Sequence, residues 1–148
     1  MSKHTQPGNR IVRIIDANIN RAKEGLRVCE EVTRFILESR ALTQKLKKAR
    51  HKIDLLLRYL PAKAKLLQCR KAGTDVGRKI RGREFERKDF QDIFFANIQR
   101  VKESLRVLEE FAKLECAKAA AGFKEIRYDI YEIEKKIIKK FPSLSNHR

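Results

Sequence analysis

The stretch Ala17–Glu31, ANINRAKEGLRVCEE, returns 79 positions later as Ala96–Glu110, ANIQRVKESLRVLEE, with 11 of 15 residues identical. The shared letters are not only apolar. Asn18 and Asn97, Arg21 and Arg100, Glu24 and Glu103, Arg27 and Arg106, and Glu31 and Glu110 coincide as well. A packing requirement alone would keep Leu, Val and Ala and let the polar letters drift. The copy therefore points to a chemical task done by polar groups placed twice.

The likeness runs outward from that stretch. LTQKLKKARHKIDLLLRYL follows the first copy and AAGFKEIRYDIYEIEKKI the second, with Arg50–His51 opposite Arg127–Tyr128 once the second link is taken as two residues shorter. Each half reads as a long helix, a short connection and a second helix. Such a unit cannot bury its apolar stripe alone, but two copies can bury theirs against each other. The expected fold is all-α, a helical bundle built from two tandem helix-pair repeats with an irregular central loop. A single helical domain should cover 10–140, between a flexible N-terminus at 1–9 and a tail at 141–148. Within it, repeat 1 should occupy about 10–60, a connecting segment about 61–88 and repeat 2 about 89–140.

Helical spacing carries that expectation. Ile11, Ile15, Ile19, Ala22, Leu26, Cys29, Val32 and Ile36 recur every three or four residues and predict a helix over 10–38. Leu42, Leu46, Ala49, Ile53, Leu56 and Leu60 predict a second over 42–60, stopped by Pro61. A short third helix is expected at 62–70. Periodicity then vanishes over 71–88, where Thr74-Asp75-Val76-Gly77 reads as a specific turn. Asp caps its own backbone there and Gly supplies positive φ, which favours a functional loop over a plain linker. Helix is expected again over 89–121, broken at Gly122. A last helix at 123–140 rests on Phe123, Ile126, Ile130, Ile133 and Ile137.

Composition narrows the classes. A chain of 148 residues suits one domain, and 42% apolar with 37% charged residues and no Trp suits a soluble helical protein. No apolar run reaches the roughly 20 residues needed to span a bilayer, and the opening MSKHTQPGNR has no apolar signal core. Three cysteines without metal-type spacing suit a reduced, cytoplasmic setting, with Cys29 as a small buried hydrophobe. A net charge of +17 invites nucleic acid. The cations, however, are spread along the chain and mingle with 19 acidic residues, and no nucleic-acid-binding signature is present. Handling of polyphosphate anions explains the charge equally well. Neither nucleic acid nor a membrane is the expected main partner.

On a helical wheel the first apolar arc centres near Cys29 and Ile36. Asn18 falls at its middle, and Arg21, roughly 60° away, is still inside. Glu24 and Glu31 flank one margin, with Arg27 further out, and Asn97, Arg100, Glu103, Glu110 and Arg106 follow the same pattern. Inward polar groups are costly unless paired. Two arrangements satisfy them. One is a pair of buried salt-bridge networks, Arg21 with Glu24 or Glu31 and their equivalents, fixing helix register. The other is a hydrated cleft between the repeats, with arginine forks for phosphate oxygens and carboxylates for Mg²⁺. Arg27 with Glu30 and Arg27 with Glu31 are also ordinary surface pairs. Walker, GxGxxG, HExxH and GxSxG motifs are absent, and His51 reads as a partly exposed neutral residue.

RIIDANINRAKEGLRVCEEVTRF, TDVGRKI, EFERKDFQDIFFANIQRVKESLRVLEEFAKL and FKEIRYDIYEIEK together resemble one family across about 10–136. It is the small helical domain found upstream of, and often fused to, thiamine-phosphate synthase, described as a monofunctional hydroxymethylpyrimidine-phosphate kinase. The resemblance implies transfer of the γ-phosphoryl of ATP, with Mg²⁺, onto 4-amino-5-hydroxymethyl-2-methylpyrimidine phosphate to give the diphosphate in thiamine biosynthesis. It also implies a stand-alone form: 148 residues cannot hold a barrel of about 200 or more. A separate thiamine-phosphate synthase is then an expected partner, and a homodimer stays open. For such a reaction Asp75, Arg21 and Arg100 are the expected catalytic residues. Asn18, Asn97, Arg50, Arg127, Arg27 and Arg106 would bind substrate and phosphate, and Glu31, Glu110 and Asp75 would hold the metal. The alternatives are a non-catalytic helical module that binds thiamine intermediates or the synthase, and a basic nucleic-acid binder.

Overall fold

A computed structural model describes residues 7–60, 63–79 and 85–142. Pro61, the 80–84 part of the central loop, residues 1–6 of the expected flexible start and 143–148 of the expected tail lie outside the described residues. The described part is all-α, with no strand. Five helices follow one another: α1 (Pro7–Glu31), α2 (Arg40–Leu56), α3 (Lys63–Cys69), α4 (Phe90–Ala112) and α5 (Ala117–Ile138). None of them is long and apolar enough to cross a membrane.

The apolar stripes account for the packing. Val12, Ile15, Ile19, Ala22, Leu26 and Cys29 are buried on α1, Leu42, Leu46, Ala49 and Ile53 on α2, and Phe123, Ile126, Ile130, Ile133 and Ile137 on α5. The long helices form a ring in which α1 packs against α4 and α2, and α5 against the same two. The α1–α4 crossing is tight because Gly25 lets the backbones approach. A Cβ there would lie 2.7 Å from Val101 Cγ2 and 3.0 Å from the Asn97 carbonyl oxygen. Ion pairs tie neighbouring helices at the rim: Lys23–Asp54 at 2.7 Å, Lys102–Glu134 at 2.8 Å and Lys52–Asp129 at 2.9 Å. The short α3 docks on α1 through Leu66 and Cys69. Burial pushes the Cys29 thiol up to about 12, as suits a core hydrophobe.

Three boundaries differ from the periodicity reading. Residues 32–36 wind as a wider π-type turn, and Glu38 closes the corner at φ 50°, where non-glycine residues are uncommon. The extra residue turns Phe35 and Ile36 outward, so Ile36 is 49% exposed and not part of the core. Ser39 then caps α2, its Oγ accepting from the Leu42 N–H at 3.3 Å. The second correction concerns Gly122, which breaks nothing. The α4–α5 break falls at 113–116, and Gly122 lies inside α5 where a Cβ would meet the end of Leu56. Third, helix already begins at Pro7, inside the stretch expected to be flexible.

Candidate functional site

Two clefts open beside α1. The first, of about 620 Å³, lies between α1 and the segment after α3. Arg10, Arg13, Arg21 and Glu24 come from α1, spaced so that they share a side of the helix. The far wall carries Arg70, Lys71 and Asp75. Asp16, 5% exposed, anchors that wall: Arg70 Nε donates to its Oδ2 and Nη2 to its Oδ1, each at 2.8 Å. Those hydrogen bonds hold the Arg70 guanidinium further toward its charged form. Arg10, Arg13, Arg21 and Lys71 have no carboxylate partner among the described residues. Asn18 is buried but turns back on its own helix, donating from Nδ2 to the Ile14 carbonyl at 2.8 Å. Asp75 is exposed and accepts the Gly77 N–H on Oδ1 at 2.8 Å. The turn expected at 74–77 thus closes on the aspartate, while Gly77 does not adopt the positive φ expected of it.

The second cleft, of about 670 Å³, occupies the corner where α1 passes into α2. Its floor is Glu30, 3% exposed and held by both edges of Arg50, Nε to Oε2 at 2.9 Å and Nη2 to Oε1 at 3.2 Å. The hydrogen bond to Glu30 raises the Arg50 pKa. Arg27 stands 3.9 Å from Glu30 and 3.6 Å from Glu31. Arg34, Arg40 and Lys47 also line the cleft and have no carboxylate partner among the described residues.

Comparison with known proteins places this helical chain. The ThiD2 family profile matches residues 13–136. The chain belongs to the ThiD2 family. It is 40% identical over 131 residues to a Synechocystis protein named thiamine-phosphate synthase, covering 84% of this chain and 35% of that one. A protein of the same name from Rhodopirellula baltica is 38% identical over 122 residues, covering 82% and 32% respectively. The chain thus spans about a third of the length of the curated relatives it matches. No solved structure matches it.

In this ThiD2 chain the expected site residues divide between places. Asn18, Arg21 and Asp75 border the α1–α3 cleft, and Arg27, Glu31 and Arg50 border the corner cleft. The expected cleft shared between the repeats is not there. Arg21 and Arg100 are both exposed, and the α1–α4 crossing is filled by Ala22, Leu26, Val101 and Leu105. Nor does Arg21 form the buried salt bridge that was the other arrangement. The reason is a wheel centred too far to one side. Ile36 lies beyond the π-type turn, and the buried apolar residues of α1, Val12, Ile15, Ile19, Ala22, Leu26 and Cys29, average roughly 60° away from the Cys29–Ile36 direction at 100° per residue. That shift carries Arg21 out and Asp16 and Glu30 in.

The second-copy residues border neither cleft. Asn97 donates to the Ile93 carbonyl at 2.8 Å on its own helix. Arg106 and Arg127 both donate to Glu109 at 3.0 Å, so their guanidinium groups already have an internal anion. Glu110 is held by Lys113 at 2.8 Å and Arg106 at 3.1 Å. It therefore stands apart from Asp75 and Glu31 as a metal ligand. Among the described residues no group of three or more His, Cys, Asp or Glu side chains converges where a metal ion could be held by protein alone. Asp16, Arg70 and Glu109 escaped the sequence reading, and Glu30, expected only as a surface partner of Arg27, is buried. For Glu30 a signal existed, since it follows Ile19 by 11 residues, about three whole turns, and so shares its buried direction.

Proposed function

We propose that the chain transfers the γ-phosphoryl group of ATP to the hydroxyl of 4-amino-5-hydroxymethyl-2-methylpyrimidine phosphate, with the α1–α3 cleft as the reaction site. Membership of the ThiD2 family and likeness to proteins named thiamine-phosphate synthase support a place in thiamine biosynthesis. The carrying observation is local. Asn18, Arg21 and Asp75, more than fifty positions apart in sequence at their extremes, border one cleft with three further cations, Arg10, Arg13 and Lys71, that like Arg21 form no ion pair with a described carboxylate. Its volume lies in the ordinary range for small-molecule sites.

Phosphoryl transfer asks mainly for positioning and for neutralisation of charge on the phosphate oxygens. Arg21, with Arg10 and Arg13 along the same helix face, supplies that charge. Arg70 is fixed by Asp16 and gives the far wall a rigid edge. Asp75 has one oxygen occupied by Gly77 and leaves the other to accept the substrate hydroxyl proton as the hydroxyl oxygen attacks the γ-phosphorus and ADP leaves. Mg²⁺ generally needs only one or two carboxylates besides substrate phosphates, and the exposed Glu24 fits that demand. Bound there, Mg²⁺ would offset charge on the phosphate chain.

A coupled assay of ADP release, with the pyrimidine phosphate and Mg-ATP, tests the reading. Arg21→Ala and Asp75→Ala should each lower kcat/KM at least about tenfold while the unfolding midpoint stays put. Full turnover by both folded variants would remove the reading.

A further inference from the structure

We infer that the corner cleft between α1 and α2 is a second anion site, built for the phosphate chain of a nucleotide. It rests on the phosphoryl-transfer reading for the identity of that anion, but its existence is measurable without turnover. The corner gathers Arg27, Arg34, Arg40, Lys47 and Arg50 around about 670 Å³ of open space. Of these, Arg50 alone is fully engaged, with two hydrogen bonds to a carboxylate that is 3% exposed. Glu30 is therefore a positioning group. It fixes the Arg50 fork against the floor and partly offsets the charge that the other cations bring. Arg34, Arg40 and Lys47 form no ion pair among the described residues; Glu30, Glu31 and Glu38 also line the cleft, so its five cations leave an excess of two positive charges for a ligand with two or more negative charges to balance.

The corresponding corner of the second copy shows what the same scaffold becomes without a ligand to hold. Lys113, at the position matching Arg34, is spent on Glu110 at 2.8 Å, and alanine (Ala117) matches Arg40. Arg127 is closed in by Tyr131, whose hydroxyl takes its Nη1 hydrogen bond at 3.1 Å. Of the second corner's cations only Lys124, matching Lys47, stays without an ion pair among the described residues, against three in the first. Arg21 and Arg27 are six residues apart on α1, roughly 9 Å along the axis and about 120° apart around it, so the corner is a separate site from the α1–α3 cleft.

The test uses the full chain and titrates inorganic tripolyphosphate by calorimetry at fixed ionic strength. The double variant R40A/K47A changes two exposed cations without touching the core. It should bind at least tenfold more weakly than the parent. The charge-matched variant K124A/K135A, on exposed α5 positions, should bind within twofold of it. Equal losses in both variants would mean diffuse attraction to a basic protein and would overturn the inference, as would unchanged binding by R40A/K47A. An E30Q variant separates positioning from bulk charge: it adds net positive charge, yet it should weaken binding because Arg50 loses its anchor. Tighter binding by E30Q would overturn Glu30's role. Selective loss of tripolyphosphate binding in R40A/K47A, with no ADP release by the parent chain, would sink the kinase reading and leave this site standing. Normal ADP release by R40A/K47A with unchanged KM for ATP would do the reverse.

Discussion

The two helix corners of this chain start from one sequence pattern and end in different chemistry. In each, a nearly buried glutamate takes an arginine from the following helix: Glu30 takes Arg50, and Glu109 takes Arg127. At the second corner the charges around Glu109 have found mates. Glu109 accepts from two arginines, Glu110 from Arg106 and Lys113, and Arg127 lies against the rings of Tyr128 and Tyr131. At the first corner the skeleton is the same but its surroundings are open. His51 and Asp54 replace those two tyrosines, and three cations are left unmatched. A buried ion pair is thus available as a structural element, and the neighbours decide whether it closes or faces a ligand. Removing one partner is costly only to the extent that the other stays dry.

That difference can be broken by measurement. Glu109→Ala strands Arg127 and should lower stability by about 3 kcal/mol or more, whereas Glu30→Ala leaves Arg50 beside a wet cleft and should cost clearly less. Urea midpoints compare the two, and equal losses would erase the distinction. Next in size is the crossing that sets the corners apart. Gly25→Ala drives a methyl against the Asn97 carbonyl and should cost about 1–3 kcal/mol. Gly122→Ala meets only the movable end of Leu56 and gains helix propensity, so its net effect should be under about 1 kcal/mol. The same unfolding series reads both.

Activity sharpens the comparison further. Arg21→Ala should cut ADP release while Arg100→Ala, its counterpart in the copy, should leave it within about twofold. Each should change stability by less than about 0.5 kcal/mol because both residues are exposed. Equal loss in the two variants would show that both copies serve the reaction. The smallest effect is a pH dependence. Burial pushes the Glu109 carboxyl up, but hydrogen bonds from Arg106 and Arg127 outweigh it and hold the folded value below the ordinary 4.5. Its stabilising share is therefore complete above the ordinary value and lost as pH falls through the lowered one. Glu109→Gln should flatten the acid side of the stability profile, and a profile as steep as the parent's would contradict this.

Most of the scaffold was legible because periodicity reports directly on burial. Leu42, Leu46, Ala49 and Ile53 on α2 and Phe123, Ile126, Ile130, Ile133 and Ile137 on α5 are buried as their spacing predicts, and Asp89 caps α4 where helix was expected to resume. Local irregularity was not legible. Nothing in VTRFI announces a π-type turn, yet that turn redirects two apolar side chains. Gly122 looked like punctuation because glycine serves both as a breaker and as a gap-filler for a close neighbour, and only the position of Leu56 decides which. The site was half legible for a related reason. The sequence pointed to Asn18, Arg21 and Asp75, but which copy stays open depends on the partners each cation meets, and those come from distant helices.

The Lys52–Asp129 bridge has a consequence for how the two halves recognise each other. These residues occupy matching positions in the two copies, so the contact pairs a site with its own counterpart. Were the first half to associate with another first half in the same way, lysine would confront lysine; two second halves would set aspartate against aspartate. A gene split between the copies should therefore yield fragments that reject themselves and accept one another, an asymmetry written into a single pair of charges.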